Sequence, residues 1–126
     1  MDRPLAVAIR GTGHAVPHRV MTNADLERYL DTSDEWIRTR TGICQRHVVS
    51  DGEYTGSLAT AAARDALSDA GLRPEDLDLI ICATITPDHP FPATACSIQD
   101  SLGVRDIPCF DLSAACSGFV YALVTA

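Results

Sequence analysis

Residues 77–86, LDLIICATIT, constrain the fold more than any other stretch of this chain. Their centre is continuously apolar, with no polar residue at every second position. That pattern belongs to a strand covered on both faces. Such a strand needs helices above and below it, and the flanking sequence provides them. Residues 57–70 (SLATAAARDALSDA) predict a helix. Leu58, Ala62, Ala66 and Ala70 fall at i, i+4 spacing, with Ala63 and Leu67 beside them and Thr60, Arg64 and Ser68 opposite. The alanine face permits close packing on a sheet, and Gly71 suits the position just past the helix end. Pro87, Pro90 and Pro92 make the next segment a loop. Residues 93–102 predict a helix closed by Gly103, residues 107–112 (IPCFDL) a second buried strand, and residues 116–126 another helix. Strands alternating with helices, and lacking an exposed face, indicate an α/β fold with helices on both sides of the sheet.

The amino-terminal third reads less regularly. Residues 5–13 (LAVAIRGTG) predict a strand ending in glycines. Thr22 and Asp25 have the capping-box spacing that starts a helix in TNADLERYL. Thr32 and Glu35 repeat it before Trp36, predicting a short helix through DEWIRTR that stops at Gly42. Residues 43–49 are expected to be extended. No internal repeat or linker is visible, and 126 residues is the size of one domain.

Composition removes several function classes. The chain is 46% hydrophobic and 21% charged, which suits a packed core rather than disorder. A net charge of −7 disfavours nucleic acid and anionic membranes as partners. No basic segment precedes an apolar one, so no signal peptide is expected. The longest uncharged apolar stretch, residues 112–126, falls short of the ~20 residues that span a bilayer. A cytosolic protein is the expectation. Five cysteines, odd in number and without a CxxC pair, argue against a disulfide framework and a zinc site. The four histidines show no HExxH pattern, and no metal site is expected.

One thiol stands apart. In α/β folds ligands gather at the carboxyl ends of strands, where the next helix begins. Cys116, in DLSAACSGF, is at such a point. Unpaired N–H groups and the partial positive charge of a helix start favour thiolate over thiol, which lowers the pKa and exposes a nucleophile. Ala114, Ala115, Ser117 and Gly118 are small enough to let a bulky substrate approach, and N–H groups at the turn could serve a developing oxyanion. Taken alone, the same residues equally describe a small side chain packed in a tight turn. Cys44, Cys82, Cys96 and Cys109 read as packing residues.

Trp36 and Arg40 form the second constellation. At i, i+4 they share a helix face. Arg38, Arg40, Arg46 and His47 make a basic stretch inside an acidic chain. An indole offers a flat surface for a purine, and guanidinium groups offer paired donors to phosphate. An amphipathic helix with a core tryptophan and solvated arginines explains the same pattern.

The segments GTGHAVP, TNADLE, DTSDEWIRTRTGI, LIICATITPD, FPATAC and DLSAACSGFVYAL, in this order, resemble the β-ketoacyl-acyl-carrier-protein synthase III family of condensing enzymes. The resemblance covers nearly the whole chain. Enzymes that prime polyketide pathways share these motifs and are the nearest alternative. The resemblance implies a thiolase-like, layered αβαβα fold, with residues 1–126 as most of its first half and the carboxy-terminal half absent. It implies that Cys116 is the nucleophile, which takes an acyl group from acyl-CoA and passes it to malonyl-acyl-carrier protein with loss of CO₂. It implies that Thr32, Trp36 and Arg40 hold coenzyme A as a substrate, with no permanently bound cofactor. Phe91 would reach across a homodimer interface and close the partner's acyl pocket. None of His14, His18, His47 and His89 matches the family's catalytic histidine. That residue and a catalytic asparagine are expected in a complementary carboxy-terminal segment. The 126 residues alone are expected not to condense substrates, and a non-catalytic piece acting only by association is the alternative.

Overall fold

The computed structural model describes residues 7–126, which fall into two compact units: Val16–Tyr54, and residues 7–15 together with 55–126.

The smaller unit contains β1 (Arg19–Thr22), α1 (Asn23–Leu26), α2 (Asp34–Thr41) and β2 (Gln45–Val48). β1 and β2 pair antiparallel, with Arg19 opposite Val48 and Thr22 opposite Gln45. The capping box at Thr22 forms as expected: the Asp25 N–H donates to Thr22 Oγ1 at 3.2 Å, and the Thr22 N–H donates to Asp25 Oδ2 at 2.9 Å. The helix is shorter than TNADLERYL suggests, because residues 27–30 continue as turns. α2 is capped one residue later than the Thr32–Glu35 spacing predicts. Ser33 Oγ accepts the Trp36 N–H at 3.1 Å, and Gly42, at φ 73°, ends the helix as expected. Thr32 lies before the cap, where its side chain has no helix N–H to reach.

The larger unit contains α3 (Thr55–Ala70), β3 (Ile80–Ala83), α4 (Thr94–Leu102), β4 (Cys109–Leu112) and α5 (Gly118–Thr125). β3 and β4 are parallel neighbours, with Ile80 opposite Cys109 and Ala83 opposite Leu112. Both were expected as buried strands. Cys82 is buried, whereas Ile80 and Ile81 are half-buried, so the covering of β3 is partial. Cys82, Ala95 and Ile98 form the core, with Ala59, Ile80, Leu102 and Cys109 packed around them.

Two expectations need correction. Residues 7–13 form no strand, and Leu5 and Ala6 lie outside the described residues. The segment is tied instead to carboxylates of α3: the Thr12 N–H donates to Asp69 at 2.9 Å, and the His14 N–H just beyond it to Asp65 at 3.2 Å. The alanine face of α3 therefore receives this extended segment. A Cβ on Gly13 would overlap the Ala62 carbonyl and the Ala66 amide, so glycine is what permits the approach. The second concerns Thr60 and Arg64, read as the polar face opposite the alanines. Thr60 is buried and donates its hydroxyl proton to the Gly56 carbonyl at 2.8 Å, while Arg64 donates to the Ser101 carbonyl of α4 at 2.6 Å. α3 thus has two packed faces, one toward the glycine segment and one toward α4.

Both longer helices of this unit begin on carboxylates from distant positions. Asp111 of β4 accepts the Thr94 and Ala95 N–H groups at 2.7 and 2.8 Å, which supplies the cap that Ala93 lacks. Asp88, in the proline-rich loop, accepts the Gly56 N–H at 2.8 Å. Each carboxylate satisfies orphan donors and meets the positive end of the helix dipole.

Candidate functional site

Cys116 lies where the sequence places it, past the carboxyl end of a parallel strand. The local backbone differs in detail from the expected helix start. Ala115–Ser117 make one tight 3₁₀ turn, and α5 begins only at Gly118. Ala115 has φ 46°, a left-handed conformation that costs a residue with a Cβ on the order of 1 kcal/mol or more. This bend turns the chain out of β4 and leaves Cys116 exposed. Gly118 is buried, and a Cβ there would come within 3.3 Å of Ala83 Cβ, so the glycine lets α5 start close against β3. The Thr84 N–H donates to the Leu112 carbonyl at 3.2 Å, which holds the segments leaving the two strands side by side.

Cys116 lines an open apolar groove of about 850 Å³, together with Ala59, Ala62, Cys82, Phe119 and Leu123. An exposed thiol at the mouth of an apolar groove can take up an acyl group and keep its chain out of water. Other thiols are worse placed. Burial, with help from the charge of Asp111, pushes the Cys82 thiol up to about 11. Burial and a bond to Cys96 also push Cys109 up. Cys44 is exposed like Cys116, but it is in the smaller unit, where its Sγ donates to the Gly42 carbonyl at 3.8 Å.

In the smaller unit, Trp36 is 53% exposed, which removes the core-tryptophan reading. The Arg40 guanidinium carbon stands 4.8 Å from the Trp36 ring centroid, so the two side chains form one cationic, flat surface. The basic stretch read from sequence is reduced by pairing. Arg38 is bound to Asp34 at 2.9 Å. Arg46 donates to Asn23 Oδ1 at 2.8 Å and to the Met21 carbonyl at 3.3 Å. His47 Nδ1 donates to the Pro17 carbonyl at 2.6 Å. Among the described residues Arg40 has no carboxylate partner. Thr32 Oγ1 also has no hydrogen-bond partner among the described residues, and it is buried rather than part of the exposed Trp36–Arg40 surface.

Asn23 was missed by sequence reasoning, where it read only as a helix start. It is 1% exposed. Its amide donates to Asp34 Oδ1 at 2.7 Å and to the Ile43 carbonyl at 2.8 Å, while its oxygen holds Arg46. It thereby fixes the start of α2, which carries Trp36 and Arg40, against the strand that follows. The bond from Asn23, followed by that from Arg38, holds the Asp34 carboxyl below its ordinary range. Phe91 is 89% exposed in the proline-rich loop and so is not folded onto its own core.

No family model matches the chain. Curated and solved proteins do. The β-ketoacyl-[acyl-carrier-protein] synthase III of Roseiflexus sp. strain RS-1 is 61% identical over 116 residues, 92% of this chain and 35% of that protein. The crystal structure of 3-oxoacyl-[acyl-carrier-protein] synthase III from Aquifex aeolicus VF5 is 54% identical, with a TM-score of 0.89 over 93% of this chain and 38% of that one. This chain belongs to the β-ketoacyl-acyl-carrier-protein synthase III family. The fold is accordingly the α/β, thiolase-like one that the motifs imply. The priming β-ketosynthase of the R1128 polyketide pathway has the same fold, with a TM-score of 0.90 over 98% of this chain and 39% of that one, at 35% identity. The chain spans about 35–37% of the length of its curated relatives. No helix among the described residues is long and apolar enough to cross a membrane.

Proposed function

We propose that this chain carries the acyl-accepting part of a condensing enzyme of type II fatty acid synthesis. The observation that carries this reading is the exposed thiol of Cys116, on a strained turn at the carboxyl end of β4 and lining an apolar groove. In the first step Cys116 Sγ attacks the carbonyl carbon of an acyl-CoA. The new C–S bond forms as the bond to coenzyme A breaks, and coenzyme A leaves as a thiol with the proton Cys116 gives up. In the second step malonyl-acyl-carrier protein loses CO₂. The resulting carbanion attacks the acyl carbon, and Cys116 departs as the leaving group.

Trp36 stacks on the adenine and Arg40 meets the phosphates; the Thr32 hydroxyl, buried in this structure, would have to turn outward to join them. Acyl-CoA enters as a substrate, and the reading needs no resident cofactor. The enolate formed on decarboxylation requires fixed donors, and loss of one such donor typically costs ~10²–10³ in rate. These donors are assigned to a complementary carboxy-terminal segment, and the working enzyme to a cytoplasmic homodimer in which Phe91 closes the partner's pocket. The 126 residues alone are then inactive in condensation.

The test is intact mass after incubation with acyl-CoA. The full-length enzyme should gain one acyl group on Cys116, and Cys116→Ala should gain none while keeping its circular dichroism. Trp36→Ala and Arg40→Ala should each lower kcat/KM for acyl-CoA by roughly tenfold, as expected for ~1–3 kcal/mol of stacking. An acyl adduct on Cys44, or unchanged kcat/KM in both variants, would overturn the assignment. A polyketide priming role, which the likeness to the R1128 enzyme keeps in view, predicts a product passed to a polyketide carrier protein rather than to the fatty acid carrier.

A further inference from the structure

Two thiols outside the proposed acyl site meet each other. Cys109 Sγ lies 3.5 Å from Cys96 Sγ, at van der Waals contact. A disulfide requires ~2.05 Å, so the sulfurs must close by about 1.5 Å. The two residues sit on elements already tied together. Gln99, one turn beyond Cys96, donates to the Ile107 carbonyl at 2.9 Å and accepts from Cys109 Sγ at 3.3 Å. Asp111 grips the first N–H groups of α4 at Thr94 and Ala95. Cys96 and Cys109 are both partly accessible, unlike buried Cys82.

We propose that Cys96 and Cys109 form a reversible disulfide when the protein meets a hydroperoxide. The geometry orders the steps. Cys109 directs its single S–H toward both Gln99 Oε1 and the Cys96 sulfur, so Cys109 is the donor of the pair and Cys96 the acceptor. Burial holds the Cys109 thiol up, in keeping with its role as donor. Cys96 thiolate attacks the peroxide oxygen, the O–O bond breaks, and Cys96 becomes a sulfenic acid as hydroxide leaves and takes up a proton. Cys109 sulfur then attacks Cys96 sulfur, its proton goes to the departing hydroxyl, and water leaves. Two thiols and one H₂O₂ give one disulfide and two waters.

The experiment treats the folded full-length protein with stoichiometric H₂O₂, alkylates the remaining thiols, and maps the peptides. The expected result is a Cys96–Cys109 cross-linked peptide that dithiothreitol releases, with the thiols of this region falling from five to three. Cys109→Ser should stop the reaction at a Cys96 sulfenic acid that dimedone traps. The cross-link should form faster in the native protein than in denaturing urea, because the fold supplies the approach of the two sulfurs. Full alkylation of both residues after oxidation, a cross-link formed only in urea, or dimedone on Cys116 alone would overturn the proposal. None of these readouts depends on acyl transfer.

Discussion

The two units are held together by different physics. In the larger unit most buried residues are apolar: Leu67, Cys82, Ala95, Ile98 and Val104. In the smaller one only Ile37 and Asn23 are buried, and the amide of Asn23 joins α2, the following loop and β2. A unit with so little apolar surface to bury depends on satisfying each of its buried polar groups, because an unpaired one costs far more than a paired one gives. The larger unit can tolerate polar losses at its edges as long as its core stays packed. The chemistry follows the same division. The thiol site needs an apolar groove, whereas the Trp36–Arg40 surface needs a helix held in place by hydrogen bonds.

The largest expected contrast is in thiol reactivity. At neutral pH Cys82, raised to about 11, holds about a hundredth of the thiolate of an ordinary cysteine. Iodoacetamide should therefore label Cys44 and Cys116 well before Cys82. The labelling of Cys82 should rise with pH up to about 11, since deprotonation makes the nucleophile. Early labelling of Cys82 would show that the core of the larger unit opens easily.

Next is the hub of the smaller unit. Asn23→Ala should cost about 2–4 kcal/mol, as three groups lose their partner. Amide exchange would read this as lost protection across α2 and β2, with the larger unit unchanged. If α3 and α4 lose protection equally, the two units do not behave independently.

Asp111→Ala should cost less, about 1–2 kcal/mol, as expected for a lost helix cap. Its signature is faster exchange at Thr94 and Ala95, with Ile98 still protected by the core. A smaller effect than at Asn23 is what the comparison requires.

The smallest effect is acid sensitivity. The folded-state pKa of Asp34 is lowered by its bond from Asn23 and then by Arg38. A depressed carboxyl contributes stability above its unfolded value near 3.8, and that contribution fades as pH falls through the folded value. Exposure and solvent screening keep it small. Acid titration should show α2 loosening only below that range, and Asp34→Asn should flatten the dependence.

Local signals were readable in the sequence. The Thr22–Asp25 box, Gly42 as a helix end, the apolar centres of β3 and β4, and a cysteine beyond β4 all depend on neighbours within a few positions. What was not readable depends on distance along the chain. Asp111 caps a helix 17 residues earlier, and Asn23 reaches Arg46 23 residues later. Thr60 falls on the polar side of a helical projection, yet it is buried with its hydroxyl bound to its own Gly56 carbonyl. The basic stretch around Arg40 looked stronger than it is, since charge counting does not show which arginines are already bound to Asp34 and Asn23.

Asp111 also acts as a check on strand alignment. β3 and β4 pair over only four residues, and apolar side chains on both faces say little about which register is correct. Sliding β4 by one position would turn the Asp111 side chain to the other face of the sheet. The carboxylate would then be left among apolar side chains, and the Thr94 and Ala95 N–H groups would lose their acceptor together. A misaligned pair is penalised at once in two elements, so the native register is selected during folding. Cys116, five residues beyond that carboxylate, gets its position from the same selection.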